Sequence, residues 1–504
     1  MTDSPEANSS PETDRRAAPP STSPHLWVTS TYFAEGFPYT VVNGLAEIMF
    51  KEFGATLQVI GLTSLFHLPW NLKFLWGPWL DRFATKRSWL IWTEVWLSVA
   101  LVGLAATVHT GAVLAFAAVA FTLIAVLSAT HDIAIDGYYL EALDESGKSK
   151  FVGYRAMAFR VAGLLVSGPL LVAIGRWGWS SGLLLCAAVM GTLMVLHARL
   201  LPRVETQVRS FGDLGRGLLR RRVFLVAAAV ALAFIVERET GWAEAAFRWF
   251  AATAVLARLG VGGVVGLLLV LGLLTLLGLR RWIFARLGSS NSPLAVAYTS
   301  FLAQPRVGRV LAFVILFRTG ESFLLKMRWP FLRDEMGMTL ETYGLVNGTV
   351  GVAASFSATL LGGWLIGRQG LKRWLWPFLL AQNLLNLSYF ALAEAGMGVA
   401  PWVVTVVIVG EHFGAGLGTA VFMVYIMRCC HPDHKAAHMA LVTAVMSVGF
   451  SVAGVFSGFA AEAIGFSGYF VFTFLASVPA MLLVFGVPHL DDPAAADADP
   501  GEPS

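Results

Sequence analysis

The sequence predicts an all-α, polytopic membrane protein, and three observations support this prediction. The chain has 504 residues, of which 56% are hydrophobic and only 13% charged, whereas a soluble chain carries about 25% charged residues. Apolar runs of about twenty residues, each long enough to cross the hydrocarbon core of a bilayer, recur along the chain. Lys and Arg collect in alternate loops, which is typical of a membrane topology and not of a nucleic-acid-binding surface.

The apolar runs predict two groups of six helices with a long segment between them. We expect an N-terminal half at 25–200, a central cytoplasmic linker at 201–308 and a C-terminal half at 309–487. The linker contains two extra hydrophobic segments, of which the first is the weaker, at 223–237 and 261–284. The predicted helices are 26–50, 57–80, 88–108, 112–140, 151–174, 179–200, 309–332, 340–367, 372–392, 400–428, 437–462 and 467–487.

Both ends of the chain have the composition of disordered tails. Residues 1–24 are rich in Pro, Ser and Thr, and residues 488–504 are acidic. The N-terminal tail is not a secretory signal, because no basic stretch leads into a short apolar core. Three cysteines give no disulfide framework.

The distribution of Lys and Arg predicts the orientation. One set of loops contains many basic residues, and the opposite loops contain little beyond Lys51, Arg176 and Arg333. The positive-inside rule places the first set and both termini in the cytoplasm, as expected for a multi-pass protein of the inner membrane. The first set is Arg82, Lys86, Arg87, Lys148, Lys150, Arg203, Arg220, Arg221, Arg222, Arg368, Lys372, Arg373 and Lys435.

The two halves have related features. "GPWLDRFATKR" at 77–87 follows the second predicted helix, and "GGWLIGRQGLKR" at 362–373 ends the eighth. Each combines a Gly-containing helix end with a basic cluster at the same side of the membrane. Repeated halves are common in secondary transporters.

Ionisable residues inside apolar helices are the first candidates for function, because a charge in the bilayer is costly. Glu35, Arg318 and Glu411 lie near the middle of predicted helices, and Glu321 follows Arg318 by one turn. With His67 of the second helix, these residues are our candidates for a substrate or proton pathway.

A second group of charges lies toward the cytoplasmic ends of the helices. Its members are Lys73, Asp81, Arg82, His131, Asp132, Asp136, Arg155 and Arg160. Asp132 and Asp136 are spaced i, i+4 and share one helix face, and basic residues of neighbouring helices lie at a similar depth. Two interpretations stay open: a cytoplasmic gate, or structural ion pairs that hold helices together.

Other motifs argue against several classes of protein. The segment "CCHPDHKAAH" at 429–438 combines Cys and His, but it lies in a predicted loop, so we expect neither a metal site nor acylation there. No HExxH, GxSxG or ATP-binding G-x-x-x-x-G-K-[ST] motif is present. We therefore expect no enzyme activity, no cofactor and no ATP-driven pumping.

Several segments together resemble the AmpG-like branch of the major facilitator superfamily, which is related to acetyl-CoA transporters. They are "YFAEGFPYTVV" (32–42), "LPWNLKFLWGPWLDR" (68–82), "THDIAIDGYYLEAL" (130–143), "LFRTGESFLLK" (316–326), "EHFGAGLGTAVFMVYIM" (411–427) and "HKAAHMALVTAVMSVG" (434–449). The resemblance implies two six-helix halves, with the first, fourth, seventh and tenth helices lining a central cavity. It also implies that Asp81 and Arg82 belong to a signature loop that braces the cytoplasmic gate.

AmpG proteins import anhydromuropeptides with protons, so the resemblance implies a proton-coupled secondary transporter. A muropeptide or related amino-sugar peptide is the first substrate, and an acyl-CoA, a peptide or another organic anion is the alternative. The expected partners are a small solute, protons and membrane lipid, with no nucleic acid and a monomeric state. A non-transporting membrane receptor is the alternative of another class. The sequence departs from the family at His131, where AmpG usually has Gln, and at Gly348, where Lys is frequent.

Overall fold

The computed structural model describes residues 23–203, 293–431 and 434–490, with seven isolated positions between 267 and 279. The extra hydrophobic segments expected at 223–237 and 261–284 and most of both predicted tails lie outside the described residues, apart from those isolated positions. The described chain is helical, without a β-strand.

The N-terminal half consists of helices α1–α6, and proline explains why some of them are broken. Pro69 and Pro78 each begin a new short segment within α2, because proline has no backbone N–H to donate. Short π-helical stretches, Val41–Leu45 and Val166–Leu170, interrupt α1 and α5. The bounds are α1 24–52, α2 57–82, α3 Lys86–Thr107, α4 Val113–Ala142, α5 145–177 and α6 Trp179–Leu200.

The C-terminal half consists of α7–α12, preceded by the short helix Pro293–Leu302. A π-helical stretch, Gly344–Gly351, interrupts α8 and packs against the one in α5. Gly465 has a φ of +68° and separates α11 from α12. The bounds are α7 307–334, α8 340–369, α9 371–395, α10 Pro401–Cys429, α11 435–464 and α12 466–483.

The predicted fold class is confirmed: the chain is an all-α polytopic membrane protein. Seven helical segments of the described chain are long and apolar enough to cross a membrane, and one of them, Ala437–Gly486, includes both α11 and α12.

The hydrophobic cores reveal how the two halves meet. One core continues from the N-terminal half into the C-terminal half and includes Phe50 of α1 and Trp329 of α7. It lies toward the end of the molecule where α1 stops, which we call the Lys51 end. Toward the opposite end, called the Asp81 end after the last turn of α2, each half has its own separate core. The halves are therefore packed together at the Lys51 end.

Candidate functional site

A cavity of about 660 Å³ lies between α5 of the N-terminal half and α7, α8 and α10 of the C-terminal half. Its wall is mostly apolar, with Phe159 and Phe356 among the lining side chains. Glu321, Glu411 and His412 supply a charged region, and Arg160 is an exposed residue of the wall. A volume in this range is typical of a small-molecule site.

A second, smaller chamber of about 180 Å³ lies nearer the Lys51 end, and Ser167 and Leu325 line both spaces. Residues of both halves form its polar lining, with more basic than acidic side chains. They include Asn43, Glu47, Ser64, His67, Lys326, Arg328, Tyr343 and Asn347. The oxygens Ser64 Oγ and Asn347 Oδ1 are buried without a hydrogen-bond partner in the described chain.

Four ion pairs of the described chain cross from one half to the other at the Lys51 end. Lys51 Nζ lies 2.5 Å from Asp334 Oδ2, and Arg333 Nε lies 3.1 Å from Glu52 Oε1. Arg176 contacts Glu341 Oε1 through Nε at 2.8 Å and through a terminal nitrogen at 2.5 Å.

The fourth pair is the most buried. Lys326 Nζ lies 2.9 Å from Glu47 Oε2 and donates to Thr63 Oγ1 at 2.7 Å. The two charged side chains are 9% and 16% exposed, against 60% and 44% for Arg176 and Glu341. A pair shielded from water interacts more strongly than an exposed one, so this pair contributes most to the junction.

Glycines bring the two halves into backbone contact at the same end. A Cβ atom on Gly348 of α8 would lie 1.7 Å from the carbonyl oxygen of Ser167 in α5. On the other side of the molecule, a Cβ on Gly458 of α11 would lie 2.0 Å from the carbonyl oxygen of Leu57 in α2. Any larger side chain at these positions would separate the halves. A lysine side chain at position 348 would not fit this arrangement.

The C-terminal half has its own buried charge network. Arg328 donates to Glu411 Oε2 at 2.7 Å, and His412 Nδ1 lies 2.9 Å from the same oxygen. Arg318 Nε lies 3.5 Å from Glu321 Oε2, which also accepts from Gln382 at 3.0 Å. Glu321 and Glu411, both sequence candidates, therefore have basic partners.

Lys73, Asp132, Asp136 and Arg155 form a cluster within the N-terminal half. Lys73 Nζ lies 2.5 Å from Asp132 Oδ2, and Arg155 donates to Asp136 Oδ1 at 2.6 Å. Tyr32 also donates to Asp136 at 2.7 Å, and the Arg155 guanidinium lies 4.2 Å from the Tyr32 ring centre. None of these contacts reaches the C-terminal half.

Asp81, Arg82 and His131 are placed apart from this cluster. Asp81 pairs with Lys86, and Arg82 is exposed. His131 is fully buried, with Nε2 3.3 Å from Glu94, and the same carboxylate oxygen lies 2.6 Å from His197 Nδ1. The predicted grouping of His131 with the aspartates is thus not reproduced by contacts.

The remaining candidates, Glu35 and His67, lie in α1 and α2 of the N-terminal half. Glu35 Oε2 is buried without a hydrogen-bond partner in the described chain, with Asp132 and Lys73 among the charges that act on it. His67 Nδ1 lies 2.9 Å from Asn43 Oδ1, and Nε2 lies 2.6 Å from Ser447 Oγ of α11. His67 therefore links the two halves.

Several charged residues that the structure brings into the site are not among the candidates that the sequence pattern predicts. Lys326 and Arg328 lie in the same apolar helix as Arg318, and a count of every charge in that helix identifies them. The sequence gives no reason to select the acidic partners Glu47 and Glu52, because charged residues are common near the end of a helix.

In the described part of the segment "CCHPDHKAAH", His438 makes two hydrogen bonds that hold the chain in place. His438 Nδ1 accepts from the backbone of His431 at 3.0 Å, and its Nε2 lies 3.0 Å from Ser300 Oγ. Burial raises the pKa of the Cys430 thiol, which disfavours the thiolate that binds metals. Within the described residues no cluster of three His, Cys, Asp or Glu could hold a metal ion.

Comparison with known proteins agrees with this architecture. The family model "Major Facilitator Superfamily" matches residues 310–503. An uncharacterized protein of Haemophilus influenzae is 25% identical over 91% of this chain and 93% of its own length. The anhydromuropeptide permease of Escherichia coli K12 is 24% identical over 90% of this chain and 77% of its own length. The chain is therefore similar to the major facilitator superfamily and, among its members, to AmpG-like transporters.

Solved structures show that this AmpG-like chain has a transporter fold. The peptide transporter POT in complex with sulfate superposes with a TM-score of 0.64 at 12% identity, covering 92% of each chain. A bacterial homolog of the human lysosomal transporter Spinster superposes with a TM-score of 0.60 at 13% identity, covering 92% of this chain and 95% of its own. These likenesses show that the chain shares the fold of these multi-pass membrane proteins.

Proposed function

We propose that this AmpG-like chain is a proton-coupled secondary transporter of the inner membrane that imports an anionic solute by alternating access. The observation that carries the proposal is the asymmetry between the two ends. Four ion pairs of the described chain join the halves at the Lys51 end, whereas the ion pairs of Lys73 and Arg155 stay within one half. The positive-inside rule then makes the Lys51 end periplasmic and both termini cytoplasmic. The structure corresponds to the inward-facing state.

The first substrate we propose is a muropeptide or a related amino-sugar peptide. Two relatives of similar length support the class of molecule, since one is named an anhydromuropeptide permease and another a putative AmpG transporter. Lys326 and Arg328 both line the small chamber, where each is paired with one carboxylate, Glu47 or Glu411. Their remaining N–H donors suit a carboxylate of the solute.

An acyl-bearing organic anion is the second substrate candidate, and one observation favours it. The wall of the larger cavity consists mainly of apolar side chains, including Met157, Leu164 and Val352. An acyl chain would bury its own apolar surface there, which a sugar could do only in part.

Glu35 is the residue we propose as the proton carrier. Within the described part of the chain its Oε2 lacks a hydrogen-bond partner, whereas Glu411 is held by Arg328. A carboxyl group without a bound cation can take up and lose a proton without breaking an ion pair. Asp132 and Asp136 have basic partners in their own half, so we assign them to the stability of the N-terminal half.

Transport in proteoliposomes tests this proposal. The purified chain should exchange labelled anhydromuropeptide in counterflow and accumulate it only when a proton gradient is imposed. Glu35→Gln should keep counterflow and lose accumulation. Glu411→Gln is the comparison, because it leaves Arg328 without its carboxylate and should impair both assays. Accumulation by Glu35→Gln at the wild-type level would contradict the assignment of Glu35 as the proton carrier. Absence of counterflow with both an anhydromuropeptide and an acyl-CoA would contradict the substrate proposal.

A further inference from the structure

We infer that His67 is a proton-binding site at the contact between the two halves, and that its occupancy biases the Lys51 end toward opening. The inference rests on the proposed proton coupling and adds a second titratable group, distinct from Glu35. His67 lies on α2, and one ring nitrogen contacts its own half while the other contacts α11 of the opposite half.

The hydrogen bonds fix the proton on one ring nitrogen. Asn43 uses its amide Nδ2 to donate to the backbone oxygen of Tyr39 at 2.9 Å. Its Oδ1 therefore faces His67 Nδ1, and because a carbonyl oxygen only accepts, Nδ1 must carry a hydrogen. In neutral imidazole the other nitrogen, Nε2, is then the acceptor.

The second nitrogen can gain a proton without losing its partner. Ser447 Oγ lies 2.6 Å from His67 Nε2 and 2.8 Å from Asn71 Oδ1. When the imidazole is neutral, the Ser447 hydroxyl donates to Nε2 and the Asn71 amide turns its Nδ2 toward Oγ. When a proton binds at Nε2, the imidazolium donates to Ser447 Oγ and the hydroxyl donates to Asn71 Oδ1. No other hydrogen bond of Asn71 in the described chain opposes that turn.

The surrounding charges leave an imidazolium uncompensated in the closed chamber. Of the described charged residues that line it, Lys326 pairs with Glu47, and Arg328 pairs with Glu411. The other neighbours are uncharged aromatic or polar side chains. They are Tyr39, Asn43, Trp70, Ser167, Tyr343, Asn347, Ser447 and Phe450.

The affinity of His67 for a proton differs between the two conformations because its hydration differs. In the closed chamber His67 is 9% exposed, so the charged form has lost most of its water without gaining a carboxylate. When the halves separate at the Lys51 end, α2 and α11 part and Nε2 meets water, which stabilises the imidazolium. A proton taken up at the open end is thus released after closure, and this sequence moves it toward the opposite side of the membrane.

The population of the two states against pH tests the inference without any substrate. Spin labels go on Gly111 and Met397, exposed positions in one loop of each half at the Lys51 end, after Cys186, Cys429 and Cys430 are replaced by Ala. Pulsed dipolar distances in nanodiscs should show the short, closed distance losing population as pH falls from about 8 to 5. One linked proton shifts the ratio of states by at most about tenfold per pH unit.

Three variants separate the proton from the hydrogen bond. His67→Gln should stay closed at every pH, because Gln keeps a donor and an acceptor and does not titrate. Ser447→Ala should lower the closed fraction at every pH and keep the pH dependence. His109→Gln, an exposed histidine at the same end that contacts Ser180 at 3.2 Å, should behave like the wild type.

Two results would overturn the inference: a wild-type distance distribution that does not change with pH, or a His67→Gln variant with the wild-type pH dependence. The first result is obtained with the wild type alone. It can therefore contradict the inference even if His67→Gln misfolds. Failure of anhydromuropeptide transport with an intact pH response would overturn the proposed function and leave this site standing.

Discussion

The Lys51 end and the Asp81 end contain the same kinds of ion pair, but the pairs connect different parts of the molecule. Lys326 and Glu47 belong to opposite halves, whereas Lys73 and Asp132 belong to one half. A pair between the halves exists only while those halves touch, so it adds to the stability of one conformation. A pair within one half persists in both conformations, so it adds to the stability of the fold. The same chemistry therefore acts on two different equilibria.

The largest effect should come from the backbone contact that accompanies the inter-half pairs. Gly348→Ala places a methyl group 1.7 Å from the Ser167 carbonyl oxygen, and a backbone atom cannot yield as a flexible side chain does. We expect the closed Lys51 end to be lost and transport to fall to background. The matched control is Gly363→Ala in the same helix, where a Cβ meets nothing within 4 Å. Normal transport by Gly348→Ala would mean that the two halves do not need this contact.

The next largest effect is expected at Lys326, which we compare with Lys73. Lys326→Met leaves Glu47 without its cation, at a cost on the order of 3 kcal/mol for a buried pair. Because the closed state alone has this pair, the ratio of closed to open molecules should fall about a hundredfold, as measured by the distance between labels at Gly111 and Met397.

Lys73→Met is the counterpart within one half. It leaves Asp132, whose side chain is 9% exposed, without its cation in both conformations. We expect a lower thermal unfolding midpoint and an unchanged distance distribution. A large change of distance in Lys73→Met would erase the distinction between the two ends.

The smallest effect should come from the exposed pair at the rim. Arg176 and Glu341 are screened by water, so their attraction is weak despite two short contacts. Arg176→Gln should shift the closed population far less than Lys326→Met, in the same direction. An equal shift in the two variants would show that the contribution of these ion pairs to the closed state does not depend on their burial.

Much of the fold is predictable from the sequence because apolar length and periodicity are local properties. The predicted helix 179–200 matches Trp179–Leu200, and the predicted end of one helix and start of the next, 462 and 467, lie close to Gly465. The ion pair between Lys73 and Asp132 is also predictable from the sequence, because both residues lie at similar depth in neighbouring helices.

The junction between the halves was not predictable, because its partners are far apart in the chain. In the sequence, Lys51, Arg176 and Arg333 stand out only because they are basic residues in loops that should contain few basic residues. Each of them pairs with an acid of the opposite half. Finding those acids requires the register of one half against the other, which no local pattern determines. Basic residues that violate the positive-inside pattern are a signal that a sequence search could use.

The most direct test of the account measures one distance in two matched double variants. Glu47→Gln with Lys326→Met removes a buried pair between the halves, and Asp132→Asn with Lys73→Met removes a pair within one half; neither leaves a single charge behind. With labels at Gly111 and Met397, we predict that the first variant shifts toward the long distance of an open Lys51 end and that the second keeps the short distance. An unchanged distance in the first variant, or an equal shift in both, would contradict the claim that the inter-half pairs hold this end closed.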